Sequence, residues 1–469
     1  MKTRPRVAVI GGGITGLAAA HRLLELSPHL SVKLFDAGAR LGGVLQTERH
    51  NGYLVELSAD NFITNVPWGI DLCRRLGLEE QLLRTRESQR RASVVRRGKL
   101  APVPLGFQLL APSRLWPVVR SPLLSWRGKL RLLCEPLIRR RRDTTDESLA
   151  SFARRRLGRE AFERIVQPLV AGIYTADAER LSMAAALPRF VEMERQSGSL
   201  VRAAWQSRNR DGADAAGARY GLFVAPRDGM SSLVEALWRR LDQHGVERGG
   251  RVNELARVGE RWEVKAGDQS ESLDAVILAL PAHAAAELLR RVSAELSGGL
   301  AEIPYAGSAI VVAAYDRRQI DGELDGFGFV VPAMERRPIL AASYSSGKFD
   351  GRAPAGRVLI RVFLGGAEHP EQLDLDDAAL VELAQANLAE LLGVRGAAEL
   401  TRVVRWPLSM PQYHVGHLGL VDRIERLAAA WPSLALAGNA YHGVGVPNCI
   451  HSGEQAAERI LATIPKSQL

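Results

Sequence analysis

The chain has 469 residues, of which 46% are hydrophobic and 24% charged, and its formal net charge is +10. This length exceeds one ordinary hydrophobic core and predicts two or three intertwined units, while the composition excludes a wholly disordered chain. The cysteines Cys73, Cys134 and Cys449 are odd in number and widely separated, a pattern typical of neither a disulfide framework nor a metal motif, and no apolar run reaches the roughly 18 residues of a membrane-spanning helix.

A glycine-rich turn near the start joins a predicted strand, Arg6–Ile10, to a predicted helix, Ile14–Leu26. Within its G-x-G-x-x-G pattern, Gly11 permits a tight turn, Gly13 lets the backbone approach a pyrophosphate, and Gly16 lets the helix pack closely on the strand. This context predicts a dinucleotide site. Its expected contacts are Gly11, Gly12, Gly13, Ile14, Thr15 and Gly16.

The residues after the second predicted strand indicate which dinucleotide to expect. Val32–Phe35 is followed by Asp36, an acid placed to accept ribose hydroxyls, and then by residues 40–47 with the pair Gly42 and Gly43. Residues 40–47 resemble the R-x-G-G-x-x-x-T element of amine oxidase and porphyrinogen oxidase flavoproteins, which implies FAD rather than NAD. Because no second G-x-G-x-x-G follows, we expect electrons to enter from an organic substrate and to leave to oxygen or another acceptor.

Arginine clusters lie between residues 84 and 164, at 90–91, 96–97, 139–142 and 154–156. A basic patch suits nucleic acid, an anionic membrane surface or an acidic substrate, but the chain has no nucleic-acid motif, so we do not expect nucleic acid as a partner. Trp126, Leu130, Leu133, Leu137 and Ile138 are predicted to share one face of a helix. That face contacts a membrane, covers a substrate channel or faces the core, and the sequence leaves these alternatives open.

The whole pattern predicts an α/β fold, in which a Rossmann-like FAD-binding domain is interleaved with a mixed-sheet substrate domain and a helical basic subdomain. Residues 1–90, 221–290 and 420–469 are assigned to the FAD-binding domain, residues 100–205 to the helical subdomain, and residues 206–220 and 291–419 to the substrate domain. A glycine turn over 438–449 is expected to precede a closing helix at about 450–460.

The start of the chain and its isolated cysteines indicate a compartment. Met1–Pro5 runs directly into the first predicted strand, so we expect no signal peptide. Together with the absence of a disulfide framework, this favours a reducing cytoplasm.

Four passages resemble the oxygen-dependent porphyrinogen oxidases of haem synthesis, a family of protoporphyrinogen and coproporphyrinogen III oxidases, over essentially the whole chain. They are residues 40–47, 167–177 with 181–183, 406–413, and 437–450. The second discriminates best, since general amine oxidases are not expected to carry P-L-V-x-G-I-Y. Two departures stand out: Asp36 replaces a usual glutamate, and Ser58–Asn61 replaces a common glycine–proline pair.

The resemblance implies further FAD contacts and a porphyrinogen pocket. The FAD contacts are Asp36, Arg40, Gly42, Gly43, Val252, Trp406, Val446, Pro447 and Asn448, and the pocket residues are Gly172, Leu324 and Phe363. An arginine for a substrate carboxylate is expected just before Gly98. Ala92 occupies that register, which leaves Arg91 either as the candidate or as an ordinary surface residue.

No catalytic side chain and no metal are expected, because the flavin carries the difficult chemical step. His414 and His417 lie three residues apart, but the pattern supplies no third metal ligand.

The function that the resemblance implies is the FAD-dependent, oxygen-using, six-electron oxidation of coproporphyrinogen III to coproporphyrin III. Its four propionates need more cationic partners than the two of protoporphyrinogen IX, and the turn over 443–450 looks close to the form in Gram-positive coproporphyrinogen oxidases. Protoporphyrinogen IX is the alternative substrate. An amine oxidase, a carotenoid desaturase and a non-catalytic protein similar to Rab GDP-dissociation inhibitors also stay open, as do peripheral contact with an anionic membrane and a homodimer.

Overall fold

A computed structural model describes residues 4–143, 145–211 and 222–465 of the chain. Helices and strands are mixed throughout this part, and the predicted α/β class is confirmed. The predicted domain segment 206–220 lies largely outside the described residues.

The strands of the described residues are short in the first half of the chain and longer in the second. They are β1 (Arg6–Ile10), β2 (Ser31–Phe35), β3 (Thr47–His50), β4 (Tyr53–Glu56), β5 (Phe62–Ile63), β6 (Leu82–Arg84), β7 (Ser93–Arg96), β8 (Lys99–Pro102), β9 (Phe107–Gln108), β10 (Ala111–Pro112), β11 (Phe223–Pro226), β12 (Glu247–Gly249), β13 (Val252–Val258), β14 (Arg261–Ala266), β15 (Gln269–Leu273), β16 (Ala275–Leu278), β17 (Tyr305–Asp316), β18 (Gly328–Val330), β19 (Ala341–Tyr344), β20 (Arg357–Gly365), β21 (Leu400–Pro411) and β22 (Leu434–Leu436).

Most helices of the described residues lie between β10 and β11 or after β16. They are α1 (Ile14–Leu26), α2 (Trp68–Leu76), α3 (Leu115–Arg120), α4 (Trp126–Leu133), α5 (Leu149–Leu157), α6 (Arg159–Ala161), α7 (Gln167–Tyr174), α8 (Met183–Ala186), α9 (Pro188–Ser197), α10 (Leu200–Asp211), α11 (Ser231–Gln243), α12 (Ala282–Leu289), α13 (Ala294–Ala301), α14 (Ser345–Lys348), α15 (Asp377–Leu392), α16 (His417–Ala428) and α17 (Val446–Thr463).

A five-stranded parallel sheet has the order β12-β2-β1-β16-β22. Successive side chains of β1 point to opposite faces, as in any strand. Val7 and Val9 pack against α1, α11 and α17, whereas Ala8 and Ile10 pack against β14, α12 and α16. Both faces are therefore buried, which is the burial that the apolar run of β1 predicts.

A seven-stranded sheet has the order β21-β17-β20-β19-β18-β7-β8, in which only the β18–β7 pair is parallel. Its two faces differ along β20. Ile360 and Val362 pack in the cluster that α15 covers, while Leu359 and Phe363 belong to the cluster of the β3–β4 hairpin. The second face therefore looks toward the segment that carries the predicted FAD-binding elements.

Some arginines of the helical region form ion pairs with glutamates inside the protein and are not free at the surface. Arg155 forms ion pairs of 2.6 Å with Glu147 and with Glu194, and fully buried Arg156 pairs with Glu135. Buried charges must be paired to be tolerated. Part of the predicted basic cluster therefore holds the helices of this region together and does not serve a partner.

The predicted helix over 126–139 is wrong at its C-terminal end, because α4 ends at Leu133 and a single 3₁₀ turn follows over residues 135–137. Pro136 lies in that turn, and a proline cannot donate the backbone hydrogen bond that would continue an α-helix. The apolar stripe nevertheless faces outward: Trp126 is 69% exposed and Leu137 is 82% exposed. The structure therefore excludes the core-facing alternative for these side chains.

Two further findings concern the closing helix and membrane spanning. Helix α17 begins at Val446, four residues before its expected start, with Gly445 as its N-cap residue and Pro447 in its first turn, where proline is favoured. Among the described residues, no helix combines the length and the hydropathy that crossing a bilayer requires.

Gly453 allows α17 to lie directly on α1, since a Cβ built on Gly453 would lie 2.2 Å from the carbonyl oxygen of Thr15. We expect Gly453→Ala to lower the free energy of unfolding by about 1–3 kcal/mol, because the overpacked helices must separate. Gly419→Ala in α16 is the matched control, since nothing lies within 4 Å of its built Cβ. Equal thermal unfolding temperatures for the two variants, measured by circular dichroism, would contradict this account of the packing.

Candidate functional site

Gly11 and Gly16, at the two ends of the glycine pattern between β1 and α1, leave no room for a larger residue. Gly11 has φ of +109°, and a Cβ on it would lie 2.2 Å from the carbonyl oxygen of Ala279. A Cβ on Gly16 would lie 1.8 Å from the carbonyl oxygen of Gly11. The structural roles that the sequence predicts for Gly11 and Gly16, a tight turn and close helix packing, are therefore observed.

Gly13 differs from its neighbours because nothing lies within 4 Å of its built Cβ. Its backbone instead faces the second glycine pair: Gly13 and Gly42 form a parallel β-bridge, and the Gly42 N–H donates to the carbonyl of Gly12 over 2.8 Å. A Cβ on Gly43 would lie 3.3 Å from the Gly13 Cα. Tertiary structure thus brings the two predicted glycine elements into direct contact.

Arg40 holds the second glycine loop in shape. Its guanidinium donates to the carbonyl oxygens of Gly43 (2.8 Å) and Leu45 (3.0 Å) and to the side chain of Gln46 (2.7 Å). These contacts make Arg40 a positioning residue for the loop, in addition to the FAD contact that the resemblance implies.

Asp36 lies where the sequence places it, at the carboxyl end of β2. One carboxylate oxygen accepts the Gly12 N–H over 2.6 Å, and the other accepts the Gly38 N–H over 2.7 Å. The Asp36 N–H donates to Gly249 at the end of β12, and Val252 begins β13 three residues later. The predicted contacts Asp36 and Val252 therefore both lie near the end of the parallel sheet that carries the glycine turn.

The start of α17 lies beside the start of α1. A Cβ on Gly453 of α17 would lie 2.2 Å from the Thr15 carbonyl oxygen of α1. The preceding loop is braced by Tyr413, whose hydroxyl donates to the Asn439 carbonyl (2.6 Å) and accepts the Gly443 N–H (2.8 Å). Val446, Pro447 and Asn448 are thus fixed in the first turn of the helix.

These elements fit an anionic dinucleotide such as FAD. Neither α1 nor α17 has an acidic residue in its own first turn, and the positive end of each helix dipole favours an anionic group. The free space at Gly13 is where a backbone must approach a pyrophosphate closely. The residues present can therefore hold the cofactor that the sequence predicts.

The three predicted pocket residues pack against different neighbours. A Cβ built on Gly172 in α7 would lie 3.4 Å from Val330 and 3.9 Å from Ala341, and Ala341 is the register partner of Phe363. Leu324 packs against the α15-covered cluster, whereas Phe363 packs against the cluster of the β3–β4 hairpin. That these three residues line one porphyrinogen pocket stays a prediction.

Trp406 and Arg91 occupy different environments. The Trp406 indole N–H donates to the carbonyl of Leu57 over 2.8 Å, which places Trp406 at the junction between β21 and the segment after β4. Arg91 is 54% exposed at its side chain and pairs with Asp325 over 2.7 Å. Its contacts are those of a surface ion pair, and such pairs contribute little free energy.

Sequence reasoning missed a buried charged group on the Phe363 face of the large sheet. Asp60 forms ion pairs with Lys348 (3.0 Å) and Arg361 (3.2 Å). Burial alone raises the pKa of Asp60, but Lys348 and Arg361 outweigh it and lower that pKa to about 2. The signal was present in the sequence, since Arg361 interrupts an apolar run, L-I-R-V-F, that otherwise predicts a fully buried strand.

Glu56 lies beside the flavin-binding elements and was also missed. Its carboxyl accepts the Thr47 hydroxyl and the Met230 N–H, each over 2.8 Å. Burial raises the pKa of Glu56 to about 7, despite these hydrogen bonds and the nearby guanidinium of Arg352. Near neutral pH this residue therefore carries only part of a negative charge.

His417, one of the two histidines that lie three residues apart, belongs to the packing. The His417 ring stacks on Tyr413 with 4.0 Å between ring centroids, and burial lowers the pKa of His417 to about 4. No cluster of three or more His, Cys, Asp or Glu side chains suited to a metal ion occurs in the part of the chain that the structure describes.

The sequence matches the family of flavin containing amine oxidoreductases over residues 14–461. It is 32% identical over 466 residues to the coproporphyrinogen III oxidase of Bacillus subtilis (strain 168), and the match covers 98% of each chain. It is 30% identical over 478 residues to the chloroplastic protoporphyrinogen oxidase 1 of Arabidopsis thaliana, covering 96% of this chain and 86% of that protein.

Comparison with solved structures agrees with this. A crystal structure of a protein from Exiguobacterium sp. 255-15 superimposes with a TM-score of 0.88 at 28% sequence identity. The superposition covers 98% of this chain and 100% of the other. The two proteins therefore share one fold over nearly the whole of this chain.

Gly13→Val tests the cofactor placement. Because nothing in the protein lies within 4 Å of the built Cβ, the variant is expected to fold but to lose bound flavin, since its branched side chain would occupy the space of the phosphates. Gly298→Val, at an exposed position with equal free space, is the matched control. The measurement is the ratio of visible flavin absorbance to protein absorbance after purification. Full flavin content in Gly13→Val would show that the cofactor lies elsewhere.

Proposed function

The chain belongs to the flavin containing amine oxidoreductase family, and we propose that within it the protein oxidises coproporphyrinogen III to coproporphyrin III with oxygen as acceptor. FAD is its cofactor, and oxidoreduction is its class of reaction. The proposal rests on the meeting of distant passages at one place: the two glycine elements touch at Gly13 and Gly42, and Tyr413 braces the loop that leads into α17.

When bound, FAD would supply the acceptor for hydride from a meso carbon of the porphyrinogen while a pyrrole N–H loses its proton, and three such two-electron oxidations would be balanced by the reduction of three molecules of oxygen to hydrogen peroxide. The protein has to orient a large apolar disc edge-on to the flavin and to pair its carboxylates. Phe363 and Gly172 are proposed to line the apolar part of that pocket, Gly172 because its lack of a side chain leaves room beside Ala341. No side chain needs to act as nucleophile or metal ligand in this reaction.

Two observations lead us to propose coproporphyrinogen III rather than protoporphyrinogen IX as the substrate. The Bacillus relative that is named for the first substrate matches over 98% of its own length, against 86% for the Arabidopsis relative named for the second. The four propionates of coproporphyrinogen III also require more cationic partners, and this chain carries a net charge of +10.

We propose the same division of labour that the sequence predicts. Residues 1–90, 221–290 and 420–469 would hold FAD, residues 291–419 would form the substrate side, and residues 100–205 would form the helical basic unit. We propose a cytoplasmic location, because the three cysteines are free and free thiols are typical of proteins in a reducing compartment.

We further propose that the helical unit rests on an anionic membrane surface. Trp116, Trp126, Leu130 and Leu137 are all exposed, which is uncommon for large apolar side chains so close together in sequence. The guanidinium groups of Arg120 and Arg127 lie over the rings of Trp116 and Trp126, at 4.8 and 5.4 Å from the ring centroids. An apolar stripe flanked by cations is the pattern of a helix that lies in a bilayer interface.

Substrate preference is tested with both porphyrinogens. We expect kcat/KM for coproporphyrinogen III to exceed that for protoporphyrinogen IX by about tenfold, the value of one additional charge-assisted hydrogen bond. Porphyrin fluorescence and hydrogen peroxide release are followed together, and anaerobic bleaching of the flavin shows which compound reduces it. A preference for protoporphyrinogen IX would reverse the assignment, and activity on neither would return the chain to the wider oxidase family.

Membrane contact is tested by co-sedimentation with vesicles of phosphatidylglycerol and phosphatidylcholine. We expect binding at low ionic strength that weakens as salt screens the charges, and at least about tenfold weaker binding for a Leu130→Ser, Leu137→Ser variant. A Leu26→Ser, Val258→Ser variant, which removes two exposed apolar side chains elsewhere, is the matched control. Wild-type protein that stays in the supernatant at low salt would rule out this surface as a membrane contact.

A further inference from the structure

Asp60, Lys348 and Arg361 form one buried group, here called the Asp60 cluster. A single carboxylate oxygen of Asp60 lies 3.0 Å from the Lys348 ammonium and 3.2 Å from the Arg361 guanidinium. Arg361 also donates to the carbonyl of Ser58. The three side chains come from the segment after β4, from α14 and from β20, so only the folded chain assembles them.

The charges of this cluster do not balance. Two cations share one carboxylate, and Arg361 is only 1% exposed, so water does little to offset the excess positive charge. The neighbouring Arg352 adds a further buried cation, whose guanidinium is occupied by the carbonyls of Pro226 and Arg227 at 2.8 Å each. Glu56 supplies only part of a negative charge near neutral pH, because burial raises its pKa to about 7.

Arg361 retains an unused hydrogen-bond donor. Its Nε is buried and has no partner among the described residues, although its two terminal nitrogens contact Asp60 and Ser58. A buried donor without an acceptor costs free energy that a suitably placed ligand oxygen recovers. The unbalanced charge and the free donor both favour an anionic oxygen ligand.

The cluster lies next to the proposed apolar pocket. Arg361 and Phe363 are two residues apart on β20, so they face the same side of the sheet, and the guanidinium lies 5.2 Å from the centroid of the Phe363 ring. Leu57, which precedes Ser58 in the chain, accepts the hydrogen bond of Trp406. A porphyrinogen ring against Phe363 would therefore place its periphery near the cluster.

We propose that Arg361 and Lys348 bind a propionate carboxylate of the porphyrinogen, with Asp60 positioning both cations. This inference rests on the proposed function. The carboxylate supplies the missing negative charge, and guanidinium and ammonium groups are the partners that bind carboxylates most strongly. Arg91 serves this role less well, because its side chain is 54% exposed and water already solvates its charge.

The test compares Arg361→Gln, Arg361→Lys and Lys348→Gln with the wild type. Arg395→Gln, which removes an exposed arginine paired with Asp321, is the matched control. Binding of coproporphyrin III and of its tetramethyl ester is titrated by porphyrin absorbance in the same detergent, and KM and kcat are measured with coproporphyrinogen III. Flavin content and thermal unfolding show whether each variant is folded.

We expect Arg361→Gln and Lys348→Gln to weaken coproporphyrin III binding and to raise KM at least about tenfold, with a smaller change in kcat. Binding of the ester, which has no carboxylate, should stay within about threefold of the wild type, and Arg361→Lys should retain part of the affinity for the acid. If Arg361→Gln does not fold, Lys348→Gln and Arg361→Lys decide the question.

Unchanged affinity and KM in folded, flavin-bound Arg361→Gln or Lys348→Gln would overturn the inference, as would an equal loss for acid and ester. These results leave the proposed function intact, because the wild type still oxidises the porphyrinogen. A wild type that neither binds coproporphyrin III nor oxidises the porphyrinogen would instead overturn both.

Discussion

The site depends on backbone segments that meet without side chains between them at the carboxyl end of β1. Gly11 contacts Ala279, Gly16 contacts Gly11, and Gly453 contacts Thr15, each at a distance that excludes a Cβ. These contacts join the start, the middle and the end of the chain. Cofactor binding is consequently a property of the whole folded chain, since no continuous segment contains all the surfaces that meet there.

The cofactor side and the substrate side of the proposed site differ in the groups that would bind each ligand. The proposed cofactor side consists of backbone, glycine turns and two helix N-termini, and backbone N–H groups hold the carboxylate of Asp36 there. Helix N-termini are suited to a pyrophosphate, because their N–H groups attract negative charge without a cationic side chain. The substrate side instead carries buried charged side chains, among them Arg361 and Lys348, which suits a ligand whose periphery is anionic.

The excess of positive charge has three separate roles in the structure. Arg155 and Arg156 turn inward and are neutralised by glutamates, which ties the helical unit together. Arg120 and Arg127 lie over exposed tryptophan rings at the surface. Arg361 is buried beside the proposed pocket. Net charge alone therefore does not identify a partner, because burial and pairing decide which charges a partner can reach.

The sequence by itself determined those elements that depend only on residues close together in the chain. The G-x-G-x-x-G turn, Asp36 after β2 and the loop of residues 40–47 follow from spacing, because glycine conformation and strand alternation act over a few residues. Tertiary structure decided what depends on neighbours. It packed Leu324 and Phe363 against different hydrophobic clusters, exposed the apolar stripe of α4, and collected Asp60, Lys348 and Arg361 from three distant segments. A single sequence carries no record of which side chains meet across a fold, and the free energy of a buried charge depends on those meetings.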